Sequence, residues 1–272
     1  MSNELSKIAS ELLTNIRDKG PLVWNFSNFV SMDIAANALL SIGASPAMAH
    51  AKEEAKDFSQ ICKAINGALT INIGTFDPYW QECALEAAKH ANENNIPWVL
   101  DPVGAGASGF RNKNVEQLIK FKPTILRGNG SEIMAIAGLS GGGKGVDSTS
   151  TSNDALDAAI SIAKKNKIIV AVTGAIDYVT DGNVTYAIEG GHEMMTKVTA
   201  TGCALTCLIG AAIAVGENKV RSTASIIGIY GLAGEMACKI SQGPGSLRMN
   251  LIDKLYNIST DEIISNVKIK NV

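Results

Sequence analysis

Short β-type runs alternate with helical patterns through the middle of the chain, and this alternation constrains the fold more than any other feature. The β-type runs lie at residues 67–74, 96–104, 122–129 and 167–174, and each ends in Gly or Asn. Helical patterns fill the intervals, at residues 78–92, 114–120, 131–137 and 153–164. Such a rhythm predicts βαβ units around a buried, mostly parallel central sheet flanked by helices. We therefore expect an α/β fold.

The period changes after Gly174. Residues 177–188 (DYVTDGNVTYAI) predict two strands around an Asp-Gly-Asn turn, and hence an antiparallel hairpin at one edge of the sheet. From Gly202 onward the pattern is almost entirely helical, with segments at 204–216, 222–240 and 246–256. No linker rich in Pro, Gly or Ser separates two compositions. We expect one domain over residues 1–272.

The first 20 residues place four apolar side chains on one helical stripe with charges between them: Leu5, Ile8, Leu12 and Ile16. This pattern is typical of an amphipathic helix rather than a signal peptide. No apolar run approaches the ~18 residues of a membrane span. We expect no contact with a membrane.

Charge and cysteine usage narrow the classes of partner. A formal net charge of −2 leaves no basic footprint for nucleic acid and no cationic face for a membrane surface. The five cysteines are odd in number and scattered, without a CxxC pair that would indicate zinc. These features favour a small-molecule partner and a reduced, cytoplasmic location.

Distinctive polar groups follow the predicted parallel strands, where open α/β sheets keep their sites. LDPVGAG presents Asp101, LRGNGSEI presents Arg127, Asn129 and Glu132, and VTG presents Thr173. Taken singly, Asp101 and Glu132 fit the commoner role of helix caps. Together, two carboxylates, a guanidinium and a hydroxyl are typical of Mg²⁺-assisted phosphoryl transfer.

The stretch KVTATGCALT, residues 197–206, places a thiol where a tight turn enters a predicted helix. The free N–H groups of such a helix N-terminus attract anions, and they would also favour a thiolate at Cys203. On these residues alone, Cys203 is either a nucleophile or a neighbour of a bound phosphate.

Two other apparent motifs carry less weight. GLSGGGKG, residues 138–145, fits the spacing of a phosphate loop, but Gly145 stands where Ser or Thr should hold Mg²⁺ and a helix precedes it. A flexible glycine-rich loop is the better interpretation. The sequence does not place its three histidines, His50, His90 and His192, at the spacing from acidic residues that is typical of metal ligands.

Eight blocks in register resemble the hydroxyethylthiazole kinase family, the thiamine-salvage kinases of the ribokinase-like superfamily. The blocks cover nearly the whole chain: NFVSMDIAANALLSIGASPAMAHAKEE (28–54), INIGT (71–75), VLDPVGAGAS (99–108), ILRGNGSEI (125–133), GVDS (145–148), VTG (172–174), TGCALT (201–206) and GPGSLR (243–248). The resemblance implies a ribokinase-like, Rossmann-type α/β sandwich and a homotrimer with sites between subunits. It also implies transfer of the ATP γ-phosphate to the primary alcohol of 4-methyl-5-(2-hydroxyethyl)thiazole.

The resemblance assigns roles to individual residues. Met48 matches the family's thiazole-contacting methionine, and a polarizable thioether packs well on a small sulfur-containing ring. Arg127 and Thr173, with Asn129, match the ATP-binding positions. Asp101 and Glu132 match the acids that hold Mg²⁺ and phosphate.

The glycine turn is where the sequence departs from the family. Relatives usually have GTGC, whereas here Ala200 stands at the first glycine; Ala200 and Gly202 are assigned to the substrate site, and a φ above zero at Ala200 would cost roughly 1 kcal/mol. Trp24-Asn25 stands where relatives often have His-Asn, which places Asn25 at the thiazole pocket. Cys203, with Gly202, occupies the catalytic position where the wider superfamily has an Asp base.

Cys203 need not attack a substrate under this hypothesis. Phosphoryl transfer to an alcohol needs in-line positioning and charge neutralisation more than a strong base. An unperturbed thiol, with a pKa of ~8.5, is mostly protonated near pH 7. We expect Cys203 to contact the substrate hydroxyl.

Three alternatives stay open on the sequence. A pyrimidine or pyridoxal kinase of the same superfamily would share ATP and Mg²⁺ but should carry Asp at position 203. A cysteine hydrolase would need an imidazole partner, for which His192 is the candidate nearest in sequence. A non-catalytic thiazole or nucleotide binder would lack the full set of acids and arginine.

Overall fold

The computed structural model describes residues 2–139 and 148–272 of the chain. Most of the glycine-rich segment at 138–145 therefore lies outside the described residues. The described part contains nine strands: β1 (Leu22–Phe26), β2 (Ser45–Ala47), β3 (Ala68–Asn72), β4 (Trp98–Asp101), β5 (Ile125–Asn129), β6 (Ile169–Thr173), β7 (Asp177–Thr180), β8 (Thr185–Glu189) and β9 (Lys268–Asn271).

Helices connect these strands and follow them to the end of the chain. They are α1 (Ser2–Lys19), α2 (Met32–Ser41), α3 (Ala55–Ala64), α4 (Pro78–Glu93), α5 (Gly109–Lys120), α6 (Gly130–Ile136), α7 (Ser148–Asn166), α8 (Thr201–Val215), α9 (Lys219–Ile240), α10 (Pro244–Asn257) and α11 (Thr260–Asn266). Short 3-10 turns lie at Lys52–Glu54 and Glu193–Lys197. Within the described ranges, none of these helices is long and apolar enough to cross a membrane.

All nine strands belong to one sheet, in the order β2-β1-β3-β4-β5-β6-β7-β8-β9. The first six strands in this order run parallel, and β7, β8 and β9 extend the sheet in antiparallel fashion. The predicted α/β class with a mostly parallel sheet is confirmed.

Helices cover both faces of the sheet, and two apolar cores lie between the layers. One core packs strand residues such as Val99 and Ile125 against the helices α1, α2 and α8 to α11. The other packs their neighbours Leu100 and Leu126 against α3, α4, α5, α6 and α7. Because successive side chains of a strand point to opposite faces, every second residue from Val99 or Ile125 faces the α8 layer. This alternation sends the polar residues at the strand ends toward the start of α8.

The four predicted β-type runs became β3, β4, β5 and β6, and the predicted hairpin became β7 and β8. Asp181 closes the hairpin by accepting the N–H groups of Asn183 and Val184, both at 2.8 Å, around Gly182 with φ 91°. The prediction that the chain is almost all helical after Gly202 is confirmed by α8 to α11, although it did not include the short strand β9, which pairs with β8. The sequence pattern also missed β1 and β2, which are five and three residues long.

Candidate active site

Polar side chains from neighbouring strands form one hydrogen-bonded cluster at the carboxyl edge of the sheet. Asp101 ends β4, and its Oδ2 accepts hydrogen bonds from Asn72 Nδ2 at 2.7 Å and from Thr206 Oγ1 at 2.8 Å. Arg127 Nη1 of β5 lies 3.7 Å from the same oxygen. Since Asn72 ends β3 and Thr206 belongs to α8, the cluster joins three strands to the helix above them.

Asp101 is completely buried, which dominates its electrostatics. Burial raises the pKa of this carboxyl to about 6; the positive charge of Arg127 opposes the shift, and the negative charge of Glu132 adds to it. Its Oδ1 is buried and has no hydrogen-bond partner among the described residues. A buried oxygen left without a partner is costly, so this atom is suited to an additional ligand or proton.

Glu132 is a structural cap, as one interpretation of the sequence proposed. Asn129 and Glu132 form a capping box at the start of α6, in which Glu132 Oε2 accepts the N–H of Asn129 at 2.9 Å. Its Oε1 accepts the N–H of Gly104 from the loop after β4, also at 2.9 Å. The carboxylate therefore joins two loops of the site, and its charge lies close enough to affect Asp101.

Arg127 is almost buried and crosses from β5 to β6, where its Nη2 donates to Thr173 Oγ1 at 2.8 Å. In the part of the chain that the structure describes, its buried Nε has no hydrogen-bond partner. Gly202 lies directly over this guanidinium, since a Cβ at that position would stand only 2.8 Å from Nη1. Glycine at 202 thus lets the first turn of α8 approach the arginine.

The first turn of α8 is built on a left-handed residue. Ala200 precedes the helix with φ 65° and ψ 10°, a conformation that favours glycine. The N–H groups of Thr201, Gly202 and Cys203 have no carbonyl further up the helix to bind. The hydroxyl of Tyr230, on α9, donates to the carbonyl of Thr201 at 2.9 Å and thereby fixes this turn. The predicted helix N-terminus is therefore present and lies next to Arg127.

Cys203 is held by amides and has no imidazole partner in the described part of the chain. Asn28 Nδ2 donates to its Sγ at 3.6 Å and to Asn72 Oδ1 at 2.7 Å. Burial, and then the negative charge of Asp101, raises the pKa of the Cys203 thiol. His192 instead uses its Nδ1 to accept the N–H of Met194 at 3.1 Å. A neutral thiol without a base does not fit a cysteine hydrolase.

The structure does not bring two of the proposed substrate residues into this cluster. Asn25 is buried in β1, where its side chain accepts from Thr70 Oγ1 and donates to the carbonyl of Val23, both at 2.7 Å. Met48 follows the edge strand β2 and is half-buried against the α8-side core. Asn25 therefore supports the strands below the edge, while Met48 lies at the outer end of the sheet.

A cavity of about 470 Å³ opens beside the cluster. Arg127, Thr173, Thr201, Gly202 and Tyr230 belong to its lining. A second cavity of about 330 Å³ adjoins it and shares Thr173, Gly174 and Ala175. The pair forms a groove that leads away from the α8 turn along the antiparallel side of the sheet.

Comparison with known proteins identifies the family of this chain. The profile of the hydroxyethylthiazole kinase family matches residues 13–261. The chain belongs to this family. A protein named hydroxyethylthiazole kinase from Rhizobium rhizogenes is 47% identical over 259 residues, covering 95% of each chain. A protein of the same name from Arabidopsis thaliana is 44% identical, covering 98% of this chain and 96% of the relative.

Solved structures agree with the family assignment. The hydroxyethylthiazole kinase protein from Pyrococcus horikoshii superposes with a TM-score of 0.90 at 39% identity, over 98% of this chain and 99% of that one. Pyridoxal kinase from Staphylococcus aureus, in complex with AMP-PCP and pyridoxal, gives a TM-score of 0.63 at 15% identity, over 93% and 98% of the two chains. The second likeness shows the shared ribokinase-like fold alone. As a member of the hydroxyethylthiazole kinase family, the chain is a kinase.

Asp177 is an acidic residue of the groove that the sequence interpretation missed. It begins β7, lines the larger cavity, and accepts the N–H of Gly174 at 2.8 Å through Oδ1. Burial raises the pKa of this carboxyl to about 6. Its position directly after the VTG end of β6, beyond one tight turn, is the signal that could have identified it.

Proposed function

We propose that this chain transfers the γ-phosphate of ATP to the primary alcohol of 4-methyl-5-(2-hydroxyethyl)thiazole, which yields the monophosphate in thiamine salvage. The proposal rests on one arrangement: Arg127, Asp101 and the free N–H groups of the α8 turn lie together at one edge of the sheet. The names of the relatives supply the substrate class.

The nucleotide binds along the groove, with its phosphates between Arg127 and the first turn of α8. A guanidinium and a helix N-terminus are both favourable for phosphate oxygens. Thr173 holds the guanidinium in place and lines both cavities. Asn129 contributes by capping α6, since its Oδ1 accepts the N–H of Glu132 at 2.9 Å.

Mg²⁺ fits the two acids of the site. Asp101 offers the buried Oδ1, which has no partner in residues 2–139 and 148–272, and Glu132 lies near enough for its charge to affect Asp101. Magnesium in nucleotide sites is held by one or two carboxylates together with phosphates and water. When bound, it would neutralise charge that develops on the transferred phosphoryl group.

The acceptor alcohol lies at Cys203, between the phosphates and the Met48 side of the sheet. Asn28 fixes the thiol, so that Cys203 contacts the hydroxyl and holds it in line with the γ-phosphate. The protonated thiol takes little part in removing the alcohol proton, which matches a loose transition state that depends on positioning. Met48 packs against the thiazole ring.

The functional unit is a homotrimer in the cytoplasm, with each thiazole site shared by two subunits. Exposed apolar side chains support an interface near α2 and α10: Phe29 and Val30 precede α2, Leu40 lies on it, and Met249 lies on α10. Met48 stands at the same outer end of the sheet, beyond β1. A neighbour seated there would cover both the apolar surface and the thiazole side of the site.

Coupled ADP release with purified protein tests the proposal. The thiazole alcohol should give turnover well above background ATP hydrolysis, whereas pyrimidine and pyridine alcohols should not. Equal rates with a pyrimidine alcohol would reject the substrate assignment, and no turnover with any alcohol would reject the kinase site as proposed.

A further inference from the structure

Arg111 lies in the first turn of α5, and its side chain returns over the carboxyl edge of the sheet. Among the described residues, its guanidinium donates only to main-chain carbonyls: Nη1 to those of Ile73 and Val103, the latter at 2.8 Å, and Nη2 to that of Gly74. Ile73 and Gly74 follow β3, and Val103 follows β4. One side chain therefore links two neighbouring loops of the site.

These two loops carry the proposed magnesium-phosphate machinery. Asn72, next to Ile73, donates to Asp101 and accepts the N–H of Gly74 at 2.9 Å through Oδ1. Gly104, next to Val103, donates its N–H to Glu132 Oε1 at 2.9 Å. The carbonyls that Arg111 binds thus adjoin the groups that orient both carboxylates.

The surroundings of Arg111 show that the link is specific. Within the described ranges, no Asp or Glu oxygen lies within ion-pair distance of its guanidinium. The chain makes room for the side chain with Gly104, which has φ 76° and at which a Cβ would stand 3.1 Å from Arg111 Cδ. Lysine also has three N–H donors, but they diverge from one nitrogen, whereas the three contacts of Arg111 come from two nitrogens held in one plane; lysine therefore cannot match their geometry.

We propose that Arg111 is a positioning residue for phosphoryl transfer: it holds the loops after β3 and β4 at a fixed separation, and thereby fixes Asp101 relative to Glu132. This inference rests on the proposed kinase function. Arg111 itself contacts neither the nucleotide groove nor Cys203; it acts through Asn72 and Gly104.

Arg17 offers a matched control. Its Nη2 donates to main-chain carbonyls as well, those of Tyr256 at 2.8 Å and Leu255 at 3.4 Å, and so links α1 to the end of α10. This link lies away from the carboxyl edge of the sheet. Arg17→Met removes the same kind of contact without touching the site.

The test compares Arg111→Met, Arg111→Lys and Arg17→Met with the full-length wild-type protein. In Arg111→Met, kcat should fall by at least ~30-fold, because misplacement of reacting groups by about 1 Å costs on the order of 10². The Mg²⁺ concentration for half-maximal activity should rise about fivefold, since the carboxylates lose their fixed spacing. The KM for the thiazole alcohol should change less than about twofold, because Met48, the proposed contact of the thiazole ring, follows β2 and belongs to neither of the loops that Arg111 binds.

Hydrogen exchange in the ligand-free protein gives a second measurement. The amides of Gly74 and Gly104 should exchange about tenfold faster in Arg111→Met, as expected when a loop loses roughly 1.4 kcal/mol of local stability. Arg111→Lys should lie between wild type and Arg111→Met. Arg17→Met should lower the melting temperature and leave the kinetics and both amides unchanged.

The outcomes separate the two levels of the hypothesis. If Arg111→Met only lowers the melting temperature, as Arg17→Met does, the positioning role is rejected. Unchanged exchange at Gly74 and Gly104 rejects it as well. If the wild-type protein does not phosphorylate the thiazole alcohol, the substrate assignment fails, while faster exchange at these two amides still supports the link between the loops.

Discussion

Ala200→Gly should stabilise the protein, because Ala200 holds a left-handed conformation at the start of α8. A left-handed residue with a Cβ costs roughly 1–2 kcal/mol. Glycine at the same time lowers the free energy of unfolding by about 0.4–1 kcal/mol, because it increases the conformational entropy of the unfolded chain. The net gain in the free energy of unfolding is therefore about 1 kcal/mol.

That gain converts to a measurable change in melting temperature. With about 2.1 cal/mol/K of unfolding entropy per residue, a chain of 272 residues has about 0.6 kcal/mol/K in total. The melting temperature should rise by about 2 °C in calorimetry or circular dichroism at one fixed protein concentration. Turnover should stay within about twofold, because the backbone already has a conformation that glycine prefers.

Two control variants test whether the gain in stability comes from the left-handed conformation of Ala200. Lys167→Gly replaces an exposed residue with φ 57° at the other edge of the sheet, and should stabilise by a similar amount without any effect on kinetics. Ala214→Gly makes the same substitution in the last turn of α8, where Ala214 is partly buried against the core and glycine should destabilise by about 0.5–1 kcal/mol. A melting temperature that stays the same or falls in Ala200→Gly, while Lys167→Gly rises, would show that the turn is not strained.

Four further outcomes follow from the site. Asp101→Asn should lose on the order of 10² in turnover with the fold intact, because the amide oxygen can still accept from Asn72 and Thr206; near-wild-type turnover would contradict this. Glu132→Gln should lose turnover and lower the melting temperature, because the amide has one oxygen and can accept only one of the two N–H groups that Glu132 binds, those of Gly104 and Asn129. Cys203→Asp should keep or raise turnover, whereas Cys203→Ala should keep part of it; a covalent adduct in intact-protein mass spectrometry, or complete loss in both variants, would restore the nucleophile. Because burial and the charge of Asp101 raise the pKa of Cys203, iodoacetamide labelling followed by peptide mass spectrometry should be slow at pH 7, increase with pH through 9, and be faster in Asp101→Asn.

Oligomeric state provides an independent check on the thiazole side of the site. The protein should sediment at about three times 28.5 kDa in analytical ultracentrifugation. A stable, fully active monomer would contradict sites shared between subunits.

Local sequence patterns were sufficient for much of the fold. The period of apolar residues predicted β3 to β6 and the helices between them, because strand and helix geometry repeat over a few residues. The polar residues after these strands predicted the edge that carries Asp101, Arg127 and Thr173, since parallel strands end at the same side of a sheet. The turn before α8 was predicted from the glycine and the apolar helix that follows it.

Long-range order was decided only by the tertiary structure. The strand β1 is as long as β3, β5 and β6, but it was missed because no glycine turn follows it as one follows each of those strands. It lies between β2 and β3 and connects the Met48 segment to the site. The left-handed φ of Ala200 likewise depends on the turn that Tyr230 holds from another helix.

The roles of individual side chains were also left open by the sequence and decided by the tertiary structure. Sequence spacing could assign Asp101 and Glu132 either to helix capping or to a magnesium site, and only the structure showed that Glu132 caps α6 while Asp101 keeps one free oxygen. Arg111 gave no sequence signal, because its partners are carbonyl groups, which every residue carries. Contacts between residues far apart in the chain depend on strand order and on which face each side chain occupies, and these are properties of the folded sheet rather than of any local segment.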